Sequence, residues 1–291
     1  MIKQYCPICG LKAKRKLIYQ QNFKIDQINQ DVFSARRPPD RIHYKTVQCQ
    51  SCGLVYADSV LNNNQLSKLY KTSLLTYQDQ IPDLTKTYGY YLKKLENYKV
   101  RKNSLLEIGC GNGFFLQEAK RQGFKEVWGV EPSLDAIKQA PKFLQKHIKH
   151  AMFQKGLFKS QSFDVICFFQ TFDHVSNPNQ FLKDCFRLLK PGGLILAINH
   201  NFSSFQARIL KDKSPIIDVE HPYLYNLKTM RLIFKKNNFE IVKIASVFNY
   251  YPLDYIFRLL SINLSKPSQL LTKIKLKFWL GNLMMVAKKN K

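Results

Sequence analysis

The spacing of apolar residues changes along this 291-residue chain, and each spacing predicts a different element. Between residues 62 and 100 the pattern is helical: Leu66, Leu69 and Tyr70 fall at i, i+3 and i+4, and Tyr88, Tyr91, Leu92 and Leu95 repeat it. Pro82 breaks that stretch, because proline lacks the N–H an interior helical residue donates. Tyr44-Lys45-Thr46-Val47-Gln48 alternates with the period of a strand. Two short apolar runs, Leu105-Leu106 and Val127-Trp128-Gly129-Val130, each lead into an acid, Glu107 and Glu131. Three glycines, Gly109, Gly111 and Gly113, follow the first run at alternate positions. Together these predict the nucleoside-binding edge of a parallel α/β sheet.

Glycine accepts backbone angles that a Cβ forbids, so this spacing lets a strand turn sharply into a helix. It also lets a ligand approach the main chain. The dinucleotide fingerprint spaces its glycines G-x-G-x-x-G and faces a pyrophosphate. Here the pattern is E-x-G-x-G-x-G, followed at once by Phe114-Phe115-Leu116, without the G-K-[ST] ending of a phosphate loop. Nothing in it is shaped for a phosphate. A carboxylate at the end of the next strand, where Glu131 stands, can accept both ribose hydroxyls of a nucleoside.

At these residues the chain resembles the class I S-adenosylmethionine-dependent methyltransferases. Leu105 to Phe115 is similar to their first motif, and Val127 to Ser133 to their second. Ser162 to Phe169 resembles the strand after the cofactor pocket, and Phe181 to Leu196 the helix, turn and strand that follow. The resemblance implies an α/β, Rossmann-like fold with a seven-stranded, mostly parallel sheet and an antiparallel last strand. It leads one to expect a helix at Leu227–Asn237, a strand at Phe239–Ile244 and a last strand at Leu283–Ala287, preceded by an insertion near 249–279. It implies that Glu107 orients the glycine turn or the methionine moiety, that Gly109, Cys110, Gly111 and Gly113 offer close backbone, and that Glu131 binds the ribose. Pro132 and Ser133 would lie beside the adenosine and Gln170 at the methyl end. Met152 and Phe153 would flank adenine, where the family's usual acid is missing. The helices over 62–100 would cover the pocket, with Tyr77 either in the lid or in ordinary helix packing.

Four of the seven cysteines form two pairs, Cys6-Pro7-Ile8-Cys9-Gly10 and Cys49-Gln50-Ser51-Cys52-Gly53. Each sets two thiolates on a tight turn, and two such knuckles complete a closed, structural four-cysteine site for zinc. A redox pair would need its C-x-x-C at a helix start in a βαβ context, which is not evident. The gap between the pairs must hold an extra hairpin, with a polar loop at 34–40. Cys110, Cys167 and Cys185 read as buried, inert thiols. More loosely, Cys49 to Tyr56 resembles the end of an N-terminal four-cysteine module in a methyltransferase subgroup that includes sugar C-methyltransferases. Ribosomal-RNA methyltransferases with a zinc-binding front are a more distant likeness, with a usually shorter cysteine spacing. The expected organisation is a zinc-ribbon-like module over 1–57, a helical linker or lid over 58–100 and a methyltransferase domain over 101–291.

A formal net charge of +26 would favour anionic partners: RNA, acidic lipid or phosphorylated substrates. Lysine greatly outnumbers arginine and is dispersed, so a purely compositional origin is equally open. Residues 266–291 hold no acid and mix Leu270, Leu271, Ile274, Leu276, Phe278 and Trp279 with Lys273, Lys275 and Lys277. That mixture reads either as peripheral contact with an anionic membrane or as a substrate-pocket helix with a solvated lysine face. No apolar run reaches a membrane span and no signal pattern opens the chain, which reads as cytoplasmic.

Methyl transfer from a sulfonium is an in-line displacement for which a protein supplies orientation and desolvation. A hydroxyl acceptor needs a base, usually His; a carbon acceptor needs one to form a carbanion or enolate. His174, in Asp173-His174 after the fourth strand of the family pattern, and His221, in the segment 218–225, are the leading candidates. His200, ending the fifth strand, stands behind them. Each could instead cap a turn or satisfy core groups. The expected function is O- or C-methylation of a small-molecule or glycan-precursor acceptor. The alternative is an RNA-directed methyltransferase or RNA-binding protein, against which no N-P-P-[YF] signature follows Phe169.

Overall fold

The computed structural model describes residues 1–10, 12–29, 31–33, 41–252 and 275–290. The chain opens with β1 (Ile2–Lys3), β2 (Arg15–Tyr19), β3 (Thr46–Cys49), β4 (Val55–Ala57) and β5 (Ser59–Val60). β2, β3 and β4 form an antiparallel meander, and β1 pairs with β5. The polar loop expected at 34–40 lies outside the described residues. Helix α1 (Asn63–Thr72) starts at Asn62, whose side chain accepts from the Gln65 N–H while Gln65 accepts from the Asn62 N–H. Helix α2 (Ile81–Lys93) buries Leu84, Tyr88, Tyr91 and Leu92 on the face their spacing predicts. Pro82 does not break it. Proline sits in its first turn, where the missing N–H has no intrahelical partner to lose. The interruption falls earlier, at residues 73–77, which are not helical.

Beyond α2 the chain alternates strand and helix: β6 (Ser104–Ile108), α3 (Phe114–Arg121), β7 (Glu126–Glu131), α4 (Leu134–Lys138), α5 (Lys142–Gln145), β8 (Ile148–His150), β9 (Phe163–Phe169), α6 (Pro178–Leu188) and β10 (Leu189–His200). Then come α7 (Phe205–Leu210), β11 (Tyr223–Leu224), α8 (Leu227–Lys236), β12 (Phe239–Pro252) and β13 (Lys275–Lys289). Seven of these strands form one sheet in the order β12-β13-β10-β9-β6-β7-β8. Its first five in chain order run parallel, and β13 lies antiparallel between β10 and β12. This is the expected sheet. β6 and β9 are buried at every residue, as strands covered by helices on both faces must be.

The β12–β13 hairpin outruns the expected strands at both ends. Asn249 to Pro252 pair in register with Phe278 to Lys275, so both flanks of the expected insertion are ladder. From Lys275 onward the chain is strand, which removes the helical reading of that portion. Leu270, Leu271, Lys273 and Ile274 lie outside the described residues.

The front strands share the sheet's core. One apolar cluster joins Cys6, Val47, Cys49, Leu54 and Tyr56 to Ile166, Phe168, Phe172 and Phe234. β11 pairs with β4, Tyr223 opposite Tyr56 and Leu224 opposite Val55, and so supplies the fourth strand of the front sheet. A segment this small cannot bury enough apolar surface alone.

Candidate functional site

β6 has β9 on one side and β7 on the other, so the turn after Ile108 sits where the chain's connections diverge to the two halves of the sheet. Open α/β sheets bind ligands at that point, outside the carboxyl ends of the strands. Gly109, Gly111 and Gly113 have φ of 74°, 52° and 74°, the left-handed region that glycine enters freely. Close approach also requires them. A Cβ on Gly109 would stand 2.7 Å from Thr171 Oγ1, and one on Gly111 2.2 Å from the Tyr77 hydroxyl.

Glu131 is buried at the end of β7. Its Oε2 accepts from the Gly111 N–H and its Oε1 from the Ser133 N–H, both at 2.8 Å. Burial raises its pKa against the pull of those two donors. Each carboxylate oxygen keeps a further acceptor site, enough for two hydroxyls. Glu107 is buried in β6 with an Oε2 that has no hydrogen-bond partner. Burial, and then Glu131, push its pKa well above the usual carboxylate range. The orphaned oxygen, the glycine cradle and the doubly held Glu131 fit a nucleoside that brings its own donors.

Other residues of the cofactor edge take distinct places. Cys110 is buried, with its sulfur against Gly129, where a Cβ would come within 2.4 Å, and 3.8 Å from Gly111 O. Ser133 caps α4 and donates its hydroxyl to Ser73 O at 2.7 Å. The His150 Nε2 donates to Pro132 O at 3.0 Å, and the Ala151 N–H donates to Glu131 O, which ties the half-buried Met152 and Phe153 to the same edge. The Phe153 ring packs edge-on against Phe181 at 5.1 Å. Gln170 has a φ of 49° and donates its N–H to Ile198 O. Residues 73–77 cross the mouth of the glycine turn. The Leu75 N–H donates to Asp135 Oδ2, and the buried Tyr77 lays its hydroxyl over Gly111 and its ring against Phe114. Tyr77 lies outside the helices and shares a core cluster with Leu84 and Tyr88 of α2 while it meets the turn.

Thr171, in contact with Gly109, begins a short 3-10 turn that presents Asp173 and His174. There the structure gathers groups from four places in the chain. His200 Nδ1 donates to Asp173 Oδ2 at 2.7 Å, and the His221 ring lies 4.8 Å from that of His200 and 4.7 Å from that of His174. Tyr70 places its hydroxyl 3.0 Å from His174 Nδ1, and Glu220 Oε1 is 4.0 Å from the same nitrogen. His221 Nδ1 lies 3.1 Å from Ile216 O. A carbonyl can only accept, so that nitrogen carries the proton and the neutral ring keeps its lone pair on Nε2. Burial lowers the His221 pKa, while Asp173 pulls it up. Burial opposes ionisation of Asp173, yet His200, and then His221 and His174, hold it far below the carboxylate range.

His174 and His221 therefore meet, and His200 joins them. Asp173, Tyr70 and Glu220 complete the cluster without a local signal, because Tyr70 and His174 are 104 residues apart. Asp173, His200 and His221 also bring one donor atom each within 4.8 Å of the others. A separate cavity of about 290 Å³, lined by Tyr90, Tyr91, Phe248 and Trp279 among others, lies between α2 and the β12–β13 hairpin and holds none of these groups.

The four sulfurs of Cys6, Cys9, Cys49 and Cys52 lie within 4.8 Å of one another, those of Cys6 and Cys52 at 3.5 Å, and none is in a disulfide. Tetrahedral zinc at about 2.3 Å from each thiolate would set them roughly 3.8 Å apart. Gly10 and Gly53 take φ of 83° and 85°, and their N–H groups donate back to Cys6 O and Cys49 O, closing both knuckles. Burial lifts the Cys6 and Cys52 thiols above their ordinary value, while Cys49, against its own burial, is brought down by hydrogen bonds from the Cys52 and Ser51 N–H groups. Lys236 Nζ donates to Pro7 O and Ile8 O at 2.6 and 2.9 Å, fastening the first knuckle to α8.

A profile for the methyltransferase-domain family matches residues 80–244, more than half of the chain. A ubiquinone biosynthesis O-methyltransferase of Maricaulis maris is 34% identical over 106 residues, which are 34% of this chain and 41% of that protein. One from Coxiella burnetii is 32% identical over 122 residues, covering 39% and 52%. The chain thus spans about half, or less, of the length of these curated relatives. A solved methyltransferase of Bacillus halodurans superposes with a TM-score of 0.51 at 17% identity, over 70% of this chain and all of that one. For a SAM-dependent methyltransferase of Thermotoga maritima the values are 0.50 and 18%, over 74% and 93%. At such identities the likeness is one of fold.

Proposed function

Because the chain belongs to the class I S-adenosylmethionine-dependent methyltransferases, we propose that it methylates a hydroxyl oxygen of a small-molecule acceptor, a glycan precursor being one such class. The observation that carries this reading is the cluster of buried Asp173 with half-buried His200 and His221, reached from the glycine turn through Thr171. Oxygen as the acceptor is supported by relatives named O-methyltransferases. Bound S-adenosylmethionine would supply an electrophilic methyl group on a good leaving group. Glu131 would accept the ribose hydroxyls, and Glu107 a donor of the methionine moiety. Gly109, Gly111 and Gly113 would let the cofactor lie against the main chain. Pro132, Ser133, Met152 and Phe153 would border the adenosine, with Gln170 toward the methyl end.

His221 Nε2 would take the acceptor's proton. His174, held by Tyr70, would orient the acceptor, and Asp173 would stabilise the positive charge that protonation leaves on the imidazoles. The four cysteines would hold a structural zinc in a zinc-ribbon-like module. Residues 73–77 would close over the cofactor and exclude water.

Calorimetry with S-adenosylhomocysteine and transfer of a radiolabelled methyl group to a panel of phenolic and sugar hydroxyls test this. Binding that Glu131→Ala weakens, and transfer that His221→Ala lowers by about 100- to 10,000-fold, are expected. No binding, or full transfer by His221→Ala, would overturn the reading. Transfer that needs an added divalent cation would replace the base with a metal at Asp173, His200 and His221.

A further inference from the structure

The excursion from β10 to β11 leaves the sheet at His200 and returns through His221. It carries α7, capped by Ser204 and turned inward through Ala207, which packs with Ile216, Ile217 and Leu224. The opposite side is apolar and bare. Phe205 is 80% exposed, Ile209 60% and Leu210 37%. Phe205 and Ile209 are four residues apart and share one face of the helix. A short amphipathic helix in a globular protein turns its apolar stripe to the core; this one turns part of it to solvent.

The start of the excursion abuts the hairpin, whose Trp279 has its ring edge-on to Phe248 at 6.3 Å. The Asn201 N–H donates to Gly281 O at 2.7 Å, and a Cβ on Gly281 would stand 3.0 Å from Ser204 Oγ. Two residues before Gly281, Trp279 is 68% exposed. Cations border the apolar residues: Arg208, Lys211 and Lys213 are all exposed, against one acid in the same stretch, Asp212.

We infer that α7 and Trp279 form a docking surface for an anionic lipid bilayer, placed on the same excursion as His221. Apolar side chains flanked by lysine and arginine are what an interfacial segment needs. The former enter the boundary between headgroups and acyl chains, and the latter pair with anionic headgroups. Single-stranded RNA would use the cations and the aromatic rings but leave Ile209 and Leu210 uncovered. The net charge of +26 adds long-range attraction to an acidic surface. Contact would be peripheral, since no helix among the described residues is long and apolar enough to cross a membrane. The docking itself does not depend on the proposed chemistry. If that chemistry holds, the surface brings His221 to an acceptor carried by a lipid.

Flotation of the full chain with phosphatidylcholine vesicles, with and without phosphatidylglycerol, tests this. The protein is expected to float only with the acidic vesicles. Trp279 emission should shift to the blue, read in a Trp128→Phe background because the chain has only two tryptophans. Phe205→Ser with Ile209→Ser keeps every charge and should weaken binding at least about tenfold. Arg208→Glu with Lys213→Glu should weaken it as well and leave methyl transfer to a soluble acceptor unchanged. The surface is refuted if the protein ignores acidic vesicles, or if the serine variant floats like the parent, which would assign binding to charge alone. Self-association in sedimentation velocity, or binding of oligouridylate, that the serine variant abolishes would assign the patch to a second copy or to RNA instead.

Discussion

At Gly111 a hydrogen is all that fits between the backbone and the Tyr77 hydroxyl, and φ is positive as well. Gly111→Ala should therefore displace the cover and weaken cofactor binding about tenfold or more, while thermal unfolding shows the sheet intact. On the proposed role of Glu131, Glu131→Ala would remove the acceptor of two ribose hydroxyls. Calorimetry should report a loss of roughly 2–3 kcal/mol, within the range for hydrogen bonds to a charged group. The His221 pKa is lowered chiefly by burial, and a base must be neutral to act. Methyl transfer should consequently rise with pH and level off, with its half-point below the ordinary imidazole value near 6.5; an acid limb above that value would point to another base. The glycines and Glu131 were legible in the sequence because their function lies in local spacing. His174, His200 and His221 stood out only singly. Their meeting around Asp173 depends on which strand ends adjoin, and spacing along the chain does not encode that.

Residues 73–77 and α2 pack together beside the glycine turn. Ser133 of the second motif and Asp135 of α4 hold the former, and Tyr88 of α2 stacks on Phe169 at 4.1 Å. Tyr77→Ala should speed cofactor release in stopped-flow measurements and lower affinity without unfolding the chain; unchanged release would remove its covering role. Asn62→Ala removes the side-chain acceptor that caps α1 and should cost about 1 kcal/mol in denaturant unfolding. The helices of this region were readable from period alone. Their break was not, because the same proline that ends one helix can start the next. The length of the β12–β13 hairpin also escaped the pattern, since cross-strand pairing extends the ladder at its outer end and no local period announces it.

Across the whole molecule, the cysteine knuckles, β11 and the main sheet share a core, so loss of the proposed zinc should be felt throughout. Chelation, or Cys49→Ser, is expected to lower the melting temperature of one cooperative transition rather than reveal a separate early step for the front strands; two resolved transitions would show the units to be independent. Elemental analysis should find one zinc per chain. Period, glycine spacing and paired cysteines determined on their own the class of sheet, the glycine turn and the two cysteine knuckles, since each is a short-range pattern with a direct backbone consequence. Tertiary structure alone decided that residues 223–224 complete the front sheet, that Tyr70, Asp173, His200, Glu220 and His221 converge, and that α7 turns an apolar face outward. Those outcomes depend on which distant surfaces bury one another, and no local period carries that choice.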